Sequence, residues 1–248
     1  MKKTFFLILI MVFISGCSWR IWPDKDNVIS DELKLEKQTL EYEDLGTRTK
    51  TIVNYPVMTG YTKQKAQADF NNDIKDTVIQ ERDAFLNELA GTELPRVNDP
   101  GSYFKADYEI INQTRYLSLK LTFDTYVSGA AHPGGFTKAY NFDLLTGEKI
   151  SWTELFKPGS NYLQIISDQA GRNLLAKNSQ EEFTDIVSIR EGTKPTLDNF
   201  KTVNIKEDSL IITFDAYQVA SYAAGPQVVE VPFSELGDVL KDEYTIKT

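Results

Sequence analysis

Residues 116–126 of the chain read YLSLKLTFDTY, and this alternation decides the fold class. Every second residue from Leu117 to Phe123 is large and apolar, which is the period-2 pattern of a strand with one buried face. The residues between them are polar and are predicted to face water: Ser118, Lys120, Thr122 and Asp124. Antiparallel sheets allow one buried and one solvated face. This stretch therefore predicts a long strand in a mainly antiparallel sheet.

The chain on both sides of this strand alternates between strand and helix patterns. Strands are predicted at Leu35 to Tyr42, Arg48 to Val57 with an end at Pro56, Tyr103 to Ile111, and Tyr140 to Leu144. Between the second and third of them, Thr62 is a predicted N-cap and Gly91 a predicted end of one long helix. Its apolar face is formed by Ala66, Phe70, Ile74, Val78, Phe85 and Leu89.

The C-terminal half repeats this mixture without a regular strand–helix–strand order. A helix is predicted from Asn161, two strands flank Glu207-Asp208, and a short helix over Gln218 to Ala224 precedes Gly225-Pro226. A further strand passes through Val229 and Val231, and a last helix through Phe233, Leu236 and Leu240. The fold class predicted is α+β, with mainly antiparallel sheets, packed helices and two subdomains in tandem. The predicted bounds are 1–16 signal peptide, 17–37 tether, 38–144 first subdomain and 145–248 second subdomain.

The N-terminus has the pattern of a bacterial lipoprotein signal peptide. Two lysines precede an apolar run from Phe5 to Ile14, small residues follow, and Cys17 would be the first mature residue. A transmembrane anchor is one alternative, but the run is shorter than the roughly 20 residues a span requires. An ordinary cleaved signal with an unrelated cysteine is the other. We expect lipid, of the palmitate type, on Cys17.

Lipidation predicts attachment to a membrane of the cell envelope. Several acyl chains, at about 0.8 kcal/mol per buried CH₂, would hold the protein permanently. Ser18, rather than aspartate, follows the cysteine and resembles the outer-membrane sorting pattern. We therefore expect the outer membrane, facing the periplasm, in a Gram-negative cell, and otherwise the outer face of the cytoplasmic membrane. No second cysteine is present, so no intramolecular disulfide can form.

The charge balance restricts the class of partner. The formal charge of −9 becomes −11 once the signal and its two lysines are removed. Such a surface disfavours nucleic acid and anionic lipid and attracts cations or basic proteins. High negative charge also serves solubility alone, so partner attraction and solubility both stay open.

Most of the usual catalytic constellations are missing from the sequence. His132 is the only histidine, which leaves no multi-histidine zinc site. No G-x-S-x-G elbow and no standard phosphate-binding glycine loop is present. A pair of carboxylates for hydrolysis stays open, because their separation in space decides it. We expect no enzyme activity, no metal and no cofactor.

The segment Val127 to Gly135 is too long and too rich in glycine for an ordinary hairpin loop. Its tentative ligand-binding residues are Ser128, Gly129 and His132, together with Phe136 just after it. The alternative for His132 is a structural role, in which the ring bonds a backbone carbonyl and fixes the loop. Exposed aromatic residues that could stack on sugars are Tyr126, Phe136 and Tyr140, although strand alternation already predicts that Tyr140 is core.

Three ordered motifs give the chain a family resemblance. They are SGAAHP at residues 128–133, YNFDLLTG at 140–147 and WTELF at 152–156. They resemble the G-G-A-H, F-D-x-x-T-G and L-x-D-L-F series of the RsiV-like family, and the stretch from Tyr217 to Leu236 resembles its closing segment. Ala130, Trp152 and Glu154 depart from that pattern. The resemblance covers most of Leu35 to Leu240.

The resemblance implies a binding module outside the cytoplasm. The family includes the extracellular domain of lysozyme-sensing anti-sigma factors, and a related module accompanies some peptidoglycan deacetylases. By this likeness residues 38–144 are deacetylase-associated-like and 145–248 RsiV-like. Since neither a sigma-binding segment nor a deacetylase domain is evident, the relatives' signalling and hydrolytic roles are not carried over. The expected partner is lysozyme or another basic protein, with peptidoglycan as the alternative and an unrecognised carboxylate hydrolase as the third possibility.

Overall fold

The structure is a computed structural model that describes residues 33–90, 100–178 and 185–244. Within these residues the chain forms two sheets and three α-helices, and the predicted α+β class is confirmed. Cys17 and the signal peptide lie outside the described residues. The first strand begins at Lys34, so the last residues of the predicted tether belong to the sheet.

The first sheet has six strands in chain order. They are β1 (Lys34–Asp44), β2 (Thr49–Thr59), β3 (Ser102–Gln113), β4 (Tyr116–Tyr126), β5 (Gly134–Asp143) and β6 (Glu148–Lys149). All neighbours are antiparallel except β2 and β3, which are parallel and are joined through the helix α1 (Gln64–Leu89). Pro56 lies inside β2 and does not end it. Since β3 pairs with β2 only from Thr49 to Val53, Pro56 stands where the strand has a neighbour on one side, and proline is tolerated there.

Helix α1 packs its apolar face on this sheet, as its spacing predicts. Phe70, Ile74, Val78 and Phe85 are buried, and Phe70 contacts Tyr140 and Phe142 edge to face. The predicted cap Thr62 is wrong, because the N-cap is Lys63 and its side chain does not cap the helix. The predicted end at Gly91 lies outside the described residues.

Lys63 instead ties the start of α1 to the hairpin between β5 and β6. Its ammonium donates to the carbonyls of Leu145 (2.5 Å) and Thr146 (3.0 Å). The Asp143 carboxylate accepts from the Leu145 amide at 2.7 Å, and Gly147 adopts a φ of +81°. Asp143 and Gly147 thus shape the turn between β5 and β6.

The second sheet is a three-stranded antiparallel meander of β7 (Thr202–Ile205), β8 (Ser209–Phe214) and β9 (Gln227–Pro232). Helices α2 (Tyr162–Asn178) and α3 (Ile186–Gly192) pack with it around a second core. The predicted last helix is wrong, since it is replaced by the 3₁₀ turns Phe233–Glu235 and Gly237–Val239. The predicted helix over Gln218 to Ala224 shrinks to the turn Tyr222–Ala224. A positive φ at Gly237 interrupts the predicted last helix, and positive φ angles at Tyr217 and Gly225 flank the other segment.

The first sheet with α1 forms one half of the molecule, and the second sheet with α2 and α3 forms the other. The two halves meet through a buried polar network. The Ser118 hydroxyl donates to Asn141 Oδ1 at 2.6 Å, and the Asn141 amide donates to the Val203 carbonyl at 2.9 Å. The Asn204 amide donates back to Ser118 Oγ at 2.9 Å, and the Ile205 N–H to Asn141 Oδ1 at 3.0 Å. The prediction that Ser118 faces water is therefore wrong, because β7 covers this part of the face that β4 was expected to expose.

In residues 33–90, 100–178 and 185–244, no helix combines the length and the hydrophobicity that a membrane-spanning segment requires.

Candidate functional site

The candidate site lies where the loop between β4 and β5 (residues 127–133) meets the loop between β8 and β9 (residues 215–226). The Tyr222 hydroxyl donates to the Pro133 carbonyl at 2.9 Å. The rings of Tyr222 and His132 are stacked, with centroids 4.1 Å apart and planes inclined by 28°. Residues from both halves therefore build one surface.

Both ring nitrogens of His132 form hydrogen bonds, Nδ1 within its own loop and Nε2 to the other loop. Nδ1 lies 2.8 Å from the Pro133 carbonyl, so the predicted bond to a backbone carbonyl is present. A carbonyl can only accept, so Nδ1 carries a proton, and in the tautomer that is protonated at Nδ1 alone Nε2 is an acceptor. Tyr217 Oη lies 3.1 Å from Nε2 and donates to it in this tautomer. The bond to Tyr217 is a long-range contact that the sequence did not predict.

Tyr217 is held in an unfavourable backbone conformation and is open to solvent. Its φ is +71°, in the left-handed region that residues with a Cβ seldom adopt, and 61% of it is exposed. The neighbouring Gln218 anchors the turn, since its amide donates to the carbonyls of Asn199 (2.8 Å) and Gly192 (3.2 Å). Strain of this kind persists where the surroundings enforce it, and such positions cluster at functional sites.

A second aromatic pair extends the surface along the first sheet. Tyr103 on β3 and Tyr126 on β4 are directly paired, and their rings stack at 5.9 Å. The Tyr103 hydroxyl donates to Asp124 at 3.2 Å. The pKa of Tyr103 is raised, first by burial and then by the negative charge of Asp124, with smaller effects from Tyr222 and Tyr126. We call Tyr103, Tyr126, His132, Tyr217 and Tyr222 the aromatic cluster.

The other residues proposed from the sequence have different positions. Ser128 belongs to the loop, where its amide donates to the Ser102 hydroxyl at 3.0 Å and its own hydroxyl is buried without a protein partner. Gly129 is exposed and has a φ of +88°, a conformation that glycine adopts more readily than residues with a Cβ. Phe136 is separated from the cluster, because it pairs with Phe123 and stacks on that core ring at 4.7 Å. Its tentative role in ligand binding stays a prediction, apart from this cluster.

Of the aromatic residues considered for sugar stacking, only Tyr126 belongs to the cluster. Tyr140 is buried against α1, as strand alternation predicts. Tyr103, Tyr217 and Tyr222 were missed as site residues. Their signal in the sequence was weak. Tyr103 fits a strand pattern, Tyr222 lies in a segment interpreted as a short helix, and Tyr217 lies just before that segment.

A half-buried carboxylate lies just before Tyr217. Asp215 accepts a hydrogen bond from the Thr137 hydroxyl at 2.8 Å, across the junction of the two halves. Burial raises the pKa of Asp215, and the bond from Thr137 opposes that rise. In the part of the chain that the structure describes, no group of three histidine, cysteine or acidic side chains is arranged to hold a metal ion.

Two protein families match this chain in succession. The family described as Deacetylase PdaC matches residues 47–134, and the family described as Protein of unknown function (DUF3298) matches residues 153–234. The aromatic cluster takes Tyr103, Tyr126 and His132 from the first matched region and Tyr217 and Tyr222 from the second. Membership of the RsiV-like family itself stays a prediction.

Two curated relatives carry the names of enzymes. The chain is 31% identical over 204 residues to the peptidoglycan-N-acetylmuramic acid deacetylase PdaC of Bacillus subtilis, covering 79% of this chain and 40% of that protein. It is 28% identical over 187 residues to the esterase Rv3036c of Mycobacterium tuberculosis, covering 74% of this chain and 75% of that protein. The chain thus spans about 40% of the deacetylase's length. These names point to a hydrolase-like family, and our expectation of no enzyme activity is wrong.

Solved structures support the fold. A DUF3298 family member from Bacteroides fragilis superposes with a TM-score of 0.60 at 13% identity, over 85% of this chain and 95% of that one. A DUF3298 family protein from Pseudomonas aeruginosa gives 0.59 at 14% identity, over 89% and 98%. At such identities the likeness concerns the fold alone.

Proposed function

We propose that this chain is a cell-envelope protein that binds the glycan of peptidoglycan at the aromatic cluster. The observation that carries the proposal is the set of tyrosine rings around His132, which both halves contribute. The relationship to a protein named as a peptidoglycan deacetylase supports this choice of polymer.

The chemistry of the cluster suits a sugar chain. An aromatic face carries negative potential and prefers the apolar, slightly positive C–H face of a sugar ring. The tyrosine hydroxyls and the histidine nitrogens lie at the ring edges, where they can bond sugar hydroxyls and acetamido groups. Sites of this kind combine apolar contact area with a few polar groups that fix orientation.

The expected lipid on Cys17 is part of the proposal, because it would hold the site close to the wall. The narrower prediction is binding of lysozyme or another basic protein. It rests on the negative net charge of the chain and on its resemblance to the RsiV-like family. It predicts a complex that forms at low salt and weakens as salt screens the charges. Salt-sensitive capture of lysozyme, with no binding to peptidoglycan, would replace the glycan proposal by this one.

The proposal is tested by co-sedimentation of the full chain, purified in detergent, with insoluble peptidoglycan. Tyr217→Ala and Tyr222→Ala should each weaken binding about 5- to 10-fold, the equivalent of roughly 1 to 1.4 kcal/mol for a lost ring contact. Tyr42→Ala is the matched control, since Tyr42 is also an exposed tyrosine. Its register places it in line with Thr51 and Phe104, on the opposite face of the sheet.

The control should bind as the wild type does. If the wild type stays in the supernatant, or if both cluster variants sediment like the control, the glycan proposal is refuted.

A second candidate function is hydrolysis of an acyl group on the bound glycan. It is favoured by His132, whose Nε2 would accept a proton from water once the hydroxyl of the exposed Tyr217, 3.1 Å away, turns aside. Water would attack the acyl carbon while Nε2 takes its proton, and the sugar oxygen or nitrogen would leave with that proton, giving the free acid. Acetate released from acetylated peptidoglycan by the wild type but not by His132→Gln would support this function. Equal release by both proteins would exclude His132 as the base.

A further inference from the structure

A surface cleft of about 330 Å³ opens beside Tyr103, at the far side of the aromatic cluster. Its walls include Glu43 at the end of β1, Arg48 and Lys50 at the start of β2, and Gly101 before β3. The lining thus contains two cationic side chains and one carboxylate, whereas the whole chain carries a formal charge of −9. The cleft is thus a locally cationic site on an acidic protein.

Strand register connects the cleft to the cluster. Glu43 pairs with Lys50, Lys50 with Tyr103, and Tyr103 with Tyr126. Directly paired residues lie on the same face of a sheet, and neighbouring strands are about 4.8 Å apart, so this row extends for about 14 Å. Tyr126 ends the row at the β4–β5 loop, where its hydroxyl approaches the Ala130 carbonyl. One continuous surface therefore joins a cationic end to an aromatic end.

The backbone at the cationic end is held in a demanding geometry. Arg48 has a φ of +53° and, with Tyr217, is one of two non-glycine residues in the described ranges with positive φ. The turn before it is fixed by the Asp44 carboxylate, which accepts from the amides of Gly46 (2.8 Å) and Thr47 (3.3 Å). A Cβ on Gly101 would lie 2.0 Å from the Arg48 carbonyl, so only glycine allows this approach. The two strained residues lie at opposite ends of the surface.

We propose that this cleft binds a carboxylate of peptidoglycan while the adjoining sugar rings lie on the aromatic cluster. The inference rests on the function proposed above and adds a second subsite to it. A guanidinium matches a carboxylate with paired hydrogen bonds, and the ammonium of Lys50 adds a point charge beside it. Peptidoglycan offers two sources of this group, the lactyl ether of muramic acid and the stem peptide.

The test compares soluble ligands that differ in charge. The full chain is titrated with a disaccharide-tetrapeptide, with the same compound amidated at its peptide carboxylates, with the peptide-free disaccharide bearing a free lactyl group, and with a neutral N-acetylglucosamine tetramer. Arg48→Gln and Lys50→Gln should each weaken binding of the carboxylate-bearing ligand about tenfold and leave the neutral tetramer unchanged. Lys75→Gln, an exposed lysine on α1, is the matched control and should bind all four ligands as the wild type does.

The outcomes separate this inference from the function on which it rests. Loss of affinity on amidation identifies the stem peptide, and tight binding of the peptide-free disaccharide identifies the lactyl group. If both glutamine variants bind the tetrapeptide ligand as the wild type does, the carboxylate subsite is refuted although glycan binding stands. If the wild type binds neither the tetramer nor the tetrapeptide ligand, the proposed function itself fails.

Discussion

Asp215 shows at the scale of one residue how the junction between the halves depends on pH. Its carboxylate is half-buried and is met by the Thr137 hydroxyl. Because burial raises its folded-state pKa, the folded chain binds more protons than the unfolded chain between the usual aspartate pKa of about 4 and the raised value. Stability contributed by this group is therefore highest at low pH and is lost as pH rises through that window.

Asp215→Asn should accordingly raise the melting temperature at neutral pH by about 2 °C, since an amide oxygen still accepts from Thr137 and no charge is buried. The gain should vanish near pH 3, where the wild-type carboxyl is protonated. Thermal unfolding at both pH values measures this. A variant less stable than the wild type at neutral pH would show that the ionised form is stabilised here, with Lys201 as a source of opposite charge.

Single residues of the site were only partly predictable. The glycines and His132 mark the β4–β5 loop in the sequence, because loops of that composition stand out between strands. Tyr217 and Tyr222 do not stand out, since their contacts reach 85 and 89 residues along the chain. The positive φ of Tyr217 could not be predicted from the sequence either, because the residues that indicate a positive φ are glycine and asparagine, not tyrosine.

At the scale of elements, helix α3 sets the position of the loop that carries Tyr217. Gly192 at the end of α3 is buried, and a Cβ there would lie 2.2 Å from the Gln218 carbonyl and 2.6 Å from a Val219 methyl. Only glycine lets the two segments approach this closely.

Gly192→Ala should lower the free energy of unfolding by about 2 kcal/mol and, by displacing Gln218, weaken peptidoglycan binding. Gly171→Ala in α2 is the control, since its Cβ would meet Thr193 Oγ1 at an ordinary 3.5 Å and alanine favours helix. Denaturant unfolding of both variants, with co-sedimentation, measures the effect. Equal stability and equal binding of the two variants would contradict this role of α3.

Secondary-structure elements were predictable where one hydrophobic periodicity extends over the whole segment. The strand Tyr116–Tyr126 has the predicted bounds, and α1 buries the predicted face. The C-terminal helices were overpredicted, because residues such as Phe233 and Leu236 fit helical spacing while Gly237 breaks the helix. Ser118 was predicted to be exposed to solvent, because the alternation along β4 describes one sheet only. It cannot show that a second sheet covers the polar face of that strand.

At the scale of the whole molecule, the site exists because two domains share one junction. Ser118 and Asn141 bond β7 across the buried network, and this network joins the first sheet to the sheet that carries the β8–β9 loop. The solved DUF3298 structures share this overall fold, with TM-scores of 0.60 and 0.59. The two-part α+β organisation was predictable from the sequence, whereas the shared surface depends on contacts between halves that no local pattern encodes.

In the proposed binding mode, a peptidoglycan fragment binds across the junction at the aromatic cluster. The most direct test is NMR chemical-shift mapping of the full chain in detergent during titration with a soluble disaccharide-tetrapeptide. We predict that the largest shifts lie at residues 126–133 and 215–222 and at Tyr103. Shifts confined to α2 and α3, or no shifts at saturating ligand, would contradict the account.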